Sequence, residues 1–175
     1  MTTHENKSVQ FYDDMVKGKI VLINFMFTNC SDGICPPMTG NLVRVQRLLG
    51  DRVGRDIFML SITMDPGNDT PEVLKKYAES YGVGPGWTFL TGKYEDIEKL
   101  RRNLGIYDPD PIVDADKTQH AGLVTFGNER TWRWAALPAL MKAEQIVETV
   151  LRITDPNRGR RRSRKNPQTS QASSR

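Results

Sequence analysis

This sequence is poor in metal-binding and nucleophilic side chains: 175 residues contain only two cysteines and two histidines. A structural zinc site ordinarily takes four Cys or His ligands. One of the four candidates, His4, falls in a polar N-terminus that reads as frayed, which argues against zinc. Also missing is any run approaching the roughly 18–20 apolar residues a membrane-spanning helix needs. Met1 to Lys7 lacks the charged-then-apolar layout of a signal peptide. No internal repeat is visible.

Acidic residues are absent after Asn157, and that absence explains the charge. Seven cations, Arg158, Arg160, Arg161, Arg162, Arg164, Lys165 and Arg175, follow Asn157, so a formal charge of +4 becomes −3 for everything before it. The basicity therefore belongs to the C-terminus and does not mark a nucleic-acid-binding surface on a fold. With Arg, Ser, Gln and Asn and no apolar periodicity, residues 157–175 read as a disordered basic tail. Such a tail suits contact with anionic lipid head groups, or simply solubilises the chain.

What is present describes one domain, residues 1–156. Hydrophobic residues make up 38% and charged residues 26%, enough to build a core. Ile20 to Phe27 is a short, nearly continuous apolar run rich in β-branched and aromatic residues, which predicts a strand buried on both faces. Met38, Leu42, Val45, Leu48 and Leu49 recur at helical spacing, with Pro37 suited to the first turn. Ile57 to Thr63 predicts a second strand, then a helix capped by Thr70 with Pro71 at its first position and ended by Gly82.

Trp87 to Leu90 reads as a strand, Tyr94 to Leu104 as a helix, and Asp108 to Thr118 as an irregular loop. Leu123 to Phe126 and Thr131 to Ala135 predict a hairpin around Gly127 to Arg130, and a last helix is expected from Pro138 to Ile153. This order predicts an α/β fold: a mixed central sheet flanked by helices, parallel in its strand-helix-strand units, closed by a C-terminal hairpin and helix.

Both cysteines, Cys30 and Cys35, lie on the loop between the first apolar strand and the following helix. Amides at a helix N-terminus favour anionic groups, and α/β folds place their sites at the C-terminal edges of strands, so this position suits reactive sulfur better than two inert core thiols. A pair of thiolates with one imidazole is a natural low-coordinate environment for Cu(I), and Cu(II) also accepts such a mixed set. His120, between the long loop and the hairpin, is the candidate third ligand.

Phe27-Thr28-Asn29-Cys30 followed by Cys35-Pro36, then Thr63-Met64-Asp65-Pro66 leading to Asp69-Thr70-Pro71, and finally His120 before the hairpin, together resemble the Sco/SenC family over Ser8 to Ile153. The resemblance implies a thioredoxin-like fold and one copper ion held by two cysteines and a histidine. It also implies a metallochaperone role in assembling the binuclear copper site of cytochrome c oxidase, with oxidase subunit II as copper acceptor. On this resemblance Cys30 and Cys35 are the thiolate ligands and redox pair, and His120 is the imidazole ligand. Asp65 and Asp69 match the family's acidic loop, with turn formation and helix capping as their alternative role.

The resemblance further implies an extracytoplasmic location with a membrane tether. Two positions depart from the family: its Cys-x3-Cys spacing is Cys-x4-Cys here, through Ser31, Asp32, Gly33 and Ile34, and an Asp that commonly precedes the family His is Gln119. Gly33 can absorb an inserted residue as a bulged turn. The competing activity is thiol-disulfide exchange by the same two cysteines with a protein partner.

Overall fold

The computed structural model describes residues 1–30, 33–115 and 122–155. The predicted ligand His120 and the predicted tail 157–175 lie outside the described residues, as do Ser31, Asp32 and Gln119. Strand β1 is Thr2–Thr3 and β2 is Ile20–Met26, every residue of which is buried. A strand with no solvent-facing side must be covered on both faces and paired along both edges. Helix α1 (Cys35–Leu49) leads from β2 to β3 (Ile57–Thr63), which pairs with β2 in parallel, Ile20 opposite Ile57 and Met26 opposite Thr63. Helix α2 (Pro71–Ser80) leads on to β4 (Trp87–Thr91), parallel to β3.

After α3 (Tyr94–Asn103) and the short α4 (Pro111–Ala115) the chain returns as β5 (Leu123–Asn128), antiparallel to β2 on its other edge. The hairpin partner β6 (Arg133–Pro138) follows, and α5 (Ala143–Thr154) packs against α1 and the hairpin. The resulting order β1-β4-β3-β2-β5-β6 is the mixed sheet flanked by helices that the sequence pattern predicts. Among the described residues no helix is long and apolar enough to cross a membrane.

Several boundaries differ from the periodicity. Leu48 is half exposed, because the apolar stripe of α1 runs through Met38, Leu42, Val45 and Leu49. The N-terminus is not frayed: Thr2 and Thr3 pair with Thr91 and Leu90, His4 N donates to Phe89 O at 2.9 Å, and Phe89 N donates to His4 Nδ1 at 3.1 Å. Backbone pairing to a distant edge makes this strand, and no local apolar pattern announces it.

β5 extends to Asn128, whose side-chain oxygen accepts from Arg130 N at 3.1 Å, so the turn is Glu129–Thr131 rather than Gly127 to Arg130. Pro138 is paired with Leu123 at the end of β6, which delays α5 to Ala143. Gly127 is required in β5 because a Cβ there would lie 2.4 Å from the Trp134 ring.

The expected irregular loop from Asp108 to Thr118 contains α4, pinned by a buried ion pair. Asp114 accepts from Arg101 Nη1 at 2.6 Å and Nη2 at 2.7 Å, from Arg102 Nη2 at 2.7 Å and from Asp108 N at 3.0 Å. Glu98 also pairs with Arg101, at 2.8 Å. Above all the Arg101 guanidinium holds the Asp114 carboxyl well below the usual carboxylate range. A depressed pKa places this stabilisation above the unfolded carboxylate value of about 4, and it fades as pH falls from there towards the folded value. Asp114→Ala leaves the buried Arg101 with the Glu98 carboxylate and the Ile106 carbonyl, so we expect a loss of about 3 kcal/mol in urea unfolding at neutral pH. The difference from wild type should shrink as the pH is lowered below about 4.

Candidate metal centre

The cysteine loop leaves the C-terminal end of β2, the central strand, and is anchored from below by a carboxylate. Asp69 is completely buried, accepting from Thr28 N at 3.1 Å, from the Thr28 hydroxyl and from the Thr63 hydroxyl. Thr28 opens the cysteine loop and Thr63 ends β3, so one side chain ties together the ends of two adjacent strands. No cation accompanies Asp69 among the described residues. Its charge is met by these donors, as a buried carboxylate requires.

The neighbouring turn is built by Asp65, whose carbonyl accepts from Asn68 N at 3.1 Å and Asp69 N at 2.8 Å, while its carboxylate accepts from Asn68 Nδ2 at 2.8 Å. Thr70 caps α2 by accepting from Val73 N. Asp65 is thus a turn residue. Asp69 fastens the cysteine loop, and the capping role expected of it falls to Thr70 alone.

At the other end of the loop Gly33 has φ +73, with open space where a Cβ would stand. Ile34 already has helical angles, and Pro36 and Pro37 occupy the first turn of α1, where amide hydrogens have no helical partner to lose. The result is that Cys35 N donates to Cys30 Sγ at 3.2 Å. The two cysteines meet at the helix N-terminus despite the four residues between them. Their environments differ, since Cys35 has no exposed surface whereas Cys30 is half-buried.

Behind Cys35, the Thr39 hydroxyl of α1 and the Tyr77 hydroxyl of α2 are hydrogen bonded at 3.0 Å. Burial pushes the Tyr77 phenol far above its ordinary value, and the nearby Cys35 adds to the shift, so Tyr77 stays neutral. Neither residue stands out in the sequence.

Among the described residues no group of three or more His, Cys, Asp or Glu side chains is assembled for a metal. Gly122, two positions beyond His120, does reach the site: a Cβ built on it would lie 3.4 Å from Ile34 Cγ2. The Gly122 carbonyl is fixed there by Ala139 N at 2.8 Å.

A family model described as SCO1/SenC matches residues 2–155. A SCO1 protein homologue of Bacillus subtilis is 41% identical over 89 residues, which cover 50% of this chain and 45% of the relative, so the chain spans less than half of that protein's length. A Stutzerimonas stutzeri protein described as copper-binding is 33% identical over 155 residues, 85% of this chain and 72% of the relative. The structure of Bradyrhizobium japonicum ScoI with copper bound superposes with a TM-score of 0.68 at 26% identity, over 87% of this chain and 94% of that one. That of BsSco, described as having a disulfide switch and as belonging to a family of cytochrome c oxidase assembly proteins, gives 0.65 at 28% identity, over 85% and 86%. The fold is thioredoxin-like, as the resemblance implies.

Two outcomes test this geometry. Iodoacetamide should label Cys30 of the reduced protein before Cys35, as read by mass spectrometry of timed digests. Asp69→Ala should cost about 1–3 kcal/mol by leaving buried donors unmet. In that variant Cys35 labelling should accelerate relative to wild type, because the Thr28 anchor of the loop is gone.

Proposed function

This chain belongs to the SCO1/SenC family, and from that premise we propose that it is a copper metallochaperone whose ligands are Cys30, Cys35 and His120. The observation that carries the reading is the convergence of three chain segments at the N-terminus of α1. The Cys35 amide touches Cys30 Sγ, and Gly122 stands beside Ile34. Consecutive Cα atoms are about 3.8 Å apart, so a histidine two residues before Gly122 is within reach of the cysteine pair.

Two thiolates and an imidazole match a soft ion such as Cu(I), and the same set accommodates Cu(II). Copper is cargo in this scheme. A half-exposed Cys30 above a buried Cys35 lets an incoming ligand from an acceptor approach from one side, so the ion passes by stepwise replacement of protein ligands. The acceptor class is a copper-receiving protein of cytochrome c oxidase assembly, with oxidase subunit II as the specific candidate. The setting is extracytoplasmic and membrane-associated. Residues 1–156 form the working domain, and 157–175 are a basic extension.

The same asymmetry supports thiol-disulfide exchange as a second activity. A Cys30 thiolate attacks a partner disulfide, giving a mixed disulfide and releasing one partner thiolate. Cys35 then displaces the second partner thiolate, leaving Cys30–Cys35 oxidised and the partner reduced by two electrons.

Anaerobic titration of the reduced protein with Cu(I) against a competing chelator should give one equivalent of tight binding. Cys35→Ser should abolish it, and His120→Ala should weaken it severely while leaving exchange with a disulfide largely intact. Uptake of no copper by the reduced wild type would refute the chaperone reading.

A further inference from the structure

One helix supports the cysteine loop at both ends. Asp69, just before α2, holds Thr28, where the loop opens. Further along the same helix the Tyr77 hydroxyl lies 3.0 Å from the Thr39 hydroxyl of α1. Thr39 follows Cys35 by four positions, and side chains at that spacing share one face of a helix, the later one directed back over the earlier turn. The hydroxyl contact therefore bears on the turn of α1 that begins with Cys35. Thr39 and Cys35 are both buried, so little water competes for the contact.

Tyr77 is itself held in place. Its ring packs against that of Phe89 in β4, with centroids 6.0 Å apart, and against that of Tyr81, 4.8 Å away. The hydroxyl is thus delivered to Thr39 by a ring that loses two contacts if it swings away. Burial above all raises the phenol, and the Cys35 sulfur is among the groups that raise it further, which places the thiol within electrostatic range of Tyr77. From Thr70 to Tyr77 the chain rises about 10 Å, a length fixed by the helix. The two ends of the Cys30–Cys35 segment are therefore tied to points of constant separation. Both cysteines are thiols here. A disulfide brings its sulfurs to about 2.05 Å, so closing the pair has to draw the loop and the first turn of α1 together against both supports.

We propose that Tyr77 is a positioning residue for the cysteine pair: through Thr39 its hydroxyl holds the first turn of α1, keeps Cys30 and Cys35 as the dithiol that a soft metal ion requires, and disfavours their closure to a disulfide. The inference deepens the reading of these cysteines as ligands and redox pair, and it rests on that reading. Its test uses no metal, so a protein that takes up no copper would end the chaperone reading and leave this one standing.

Equilibration with glutathione reads the balance directly. The two protein thiols give two electrons and two protons to glutathione disulfide, forming the Cys30–Cys35 bond and two molecules of glutathione thiol. Tyr77→Phe keeps the ring and removes the hydroxyl, so the equilibrium should move towards the protein disulfide by about fivefold, the size of one neutral hydrogen bond. Thr39→Val removes the other half of the contact and should give a similar shift, with the double variant moving little beyond either single change. Thr39→Ser, which keeps a hydroxyl, should stay at the wild-type value. Either side of the contact carries the test if a variant on the other side does not fold. Urea unfolding of both redox forms separates positioning from support: the stability lost in Tyr77→Phe should be larger in the dithiol form than in the disulfide form. Equal losses in the two forms with an unchanged glutathione equilibrium would overturn the proposal, as would a shift towards the dithiol or a wild-type pair that forms no disulfide.

Discussion

The burial of β2 on both faces is the constraint from which the site follows. All seven residues from Ile20 to Met26 are buried, so the strand must lie centrally, between β3 and β5. Wherever such a strand stops, its C-terminal end emerges in the middle of the sheet edge, flanked by the end of β3 on one side and the start of β5 on the other. The cysteine loop begins at that point, and the chain entering β5 passes within contact of it. A loop on an edge strand would have had neighbours on one side only.

Asp69 converts this placement into a fixed geometry. A carboxylate with no exposed surface is tolerable only where donors surround it, and here the donors are Thr28 and Thr63, at the ends of the two central parallel strands. The positive φ of Gly33 and the two prolines in the first turn of α1 complete the loop's other end. Together they bring the Cys35 amide onto Cys30 Sγ. Cys35 N reaches Cys30 Sγ although four residues separate the two cysteines.

The two poles of the molecule differ in chemistry as well as position. One presents sulfur, with a buried and a half-exposed thiol. The other carries Trp132, 74% exposed, where the β5–β6 turn ends.

Much of this was legible in the residues. The apolar runs of β2 and β3, the Thr70-Pro71 helix start and the Cys30–Cys35 loop each depend on neighbours close in sequence, and a spacing or a cap reports such features directly. The pairing of Thr2 and Thr3 with β4, the Asp69 bridge over 41 positions to Thr28, the Thr39–Tyr77 contact and the approach of Gly122 to Ile34 left no such trace. Each joins groups far apart in the chain, through backbone hydrogen bonds or single polar side chains that carry no periodic signal. Sequence alone determined most of the elements, β1 and α4 excepted, and which sulfurs could react. Tertiary structure decided which of those sulfurs is shielded and which donors meet the buried carboxylate that anchors their loop, because solvent access and charge pairing are set only once distant segments are packed together.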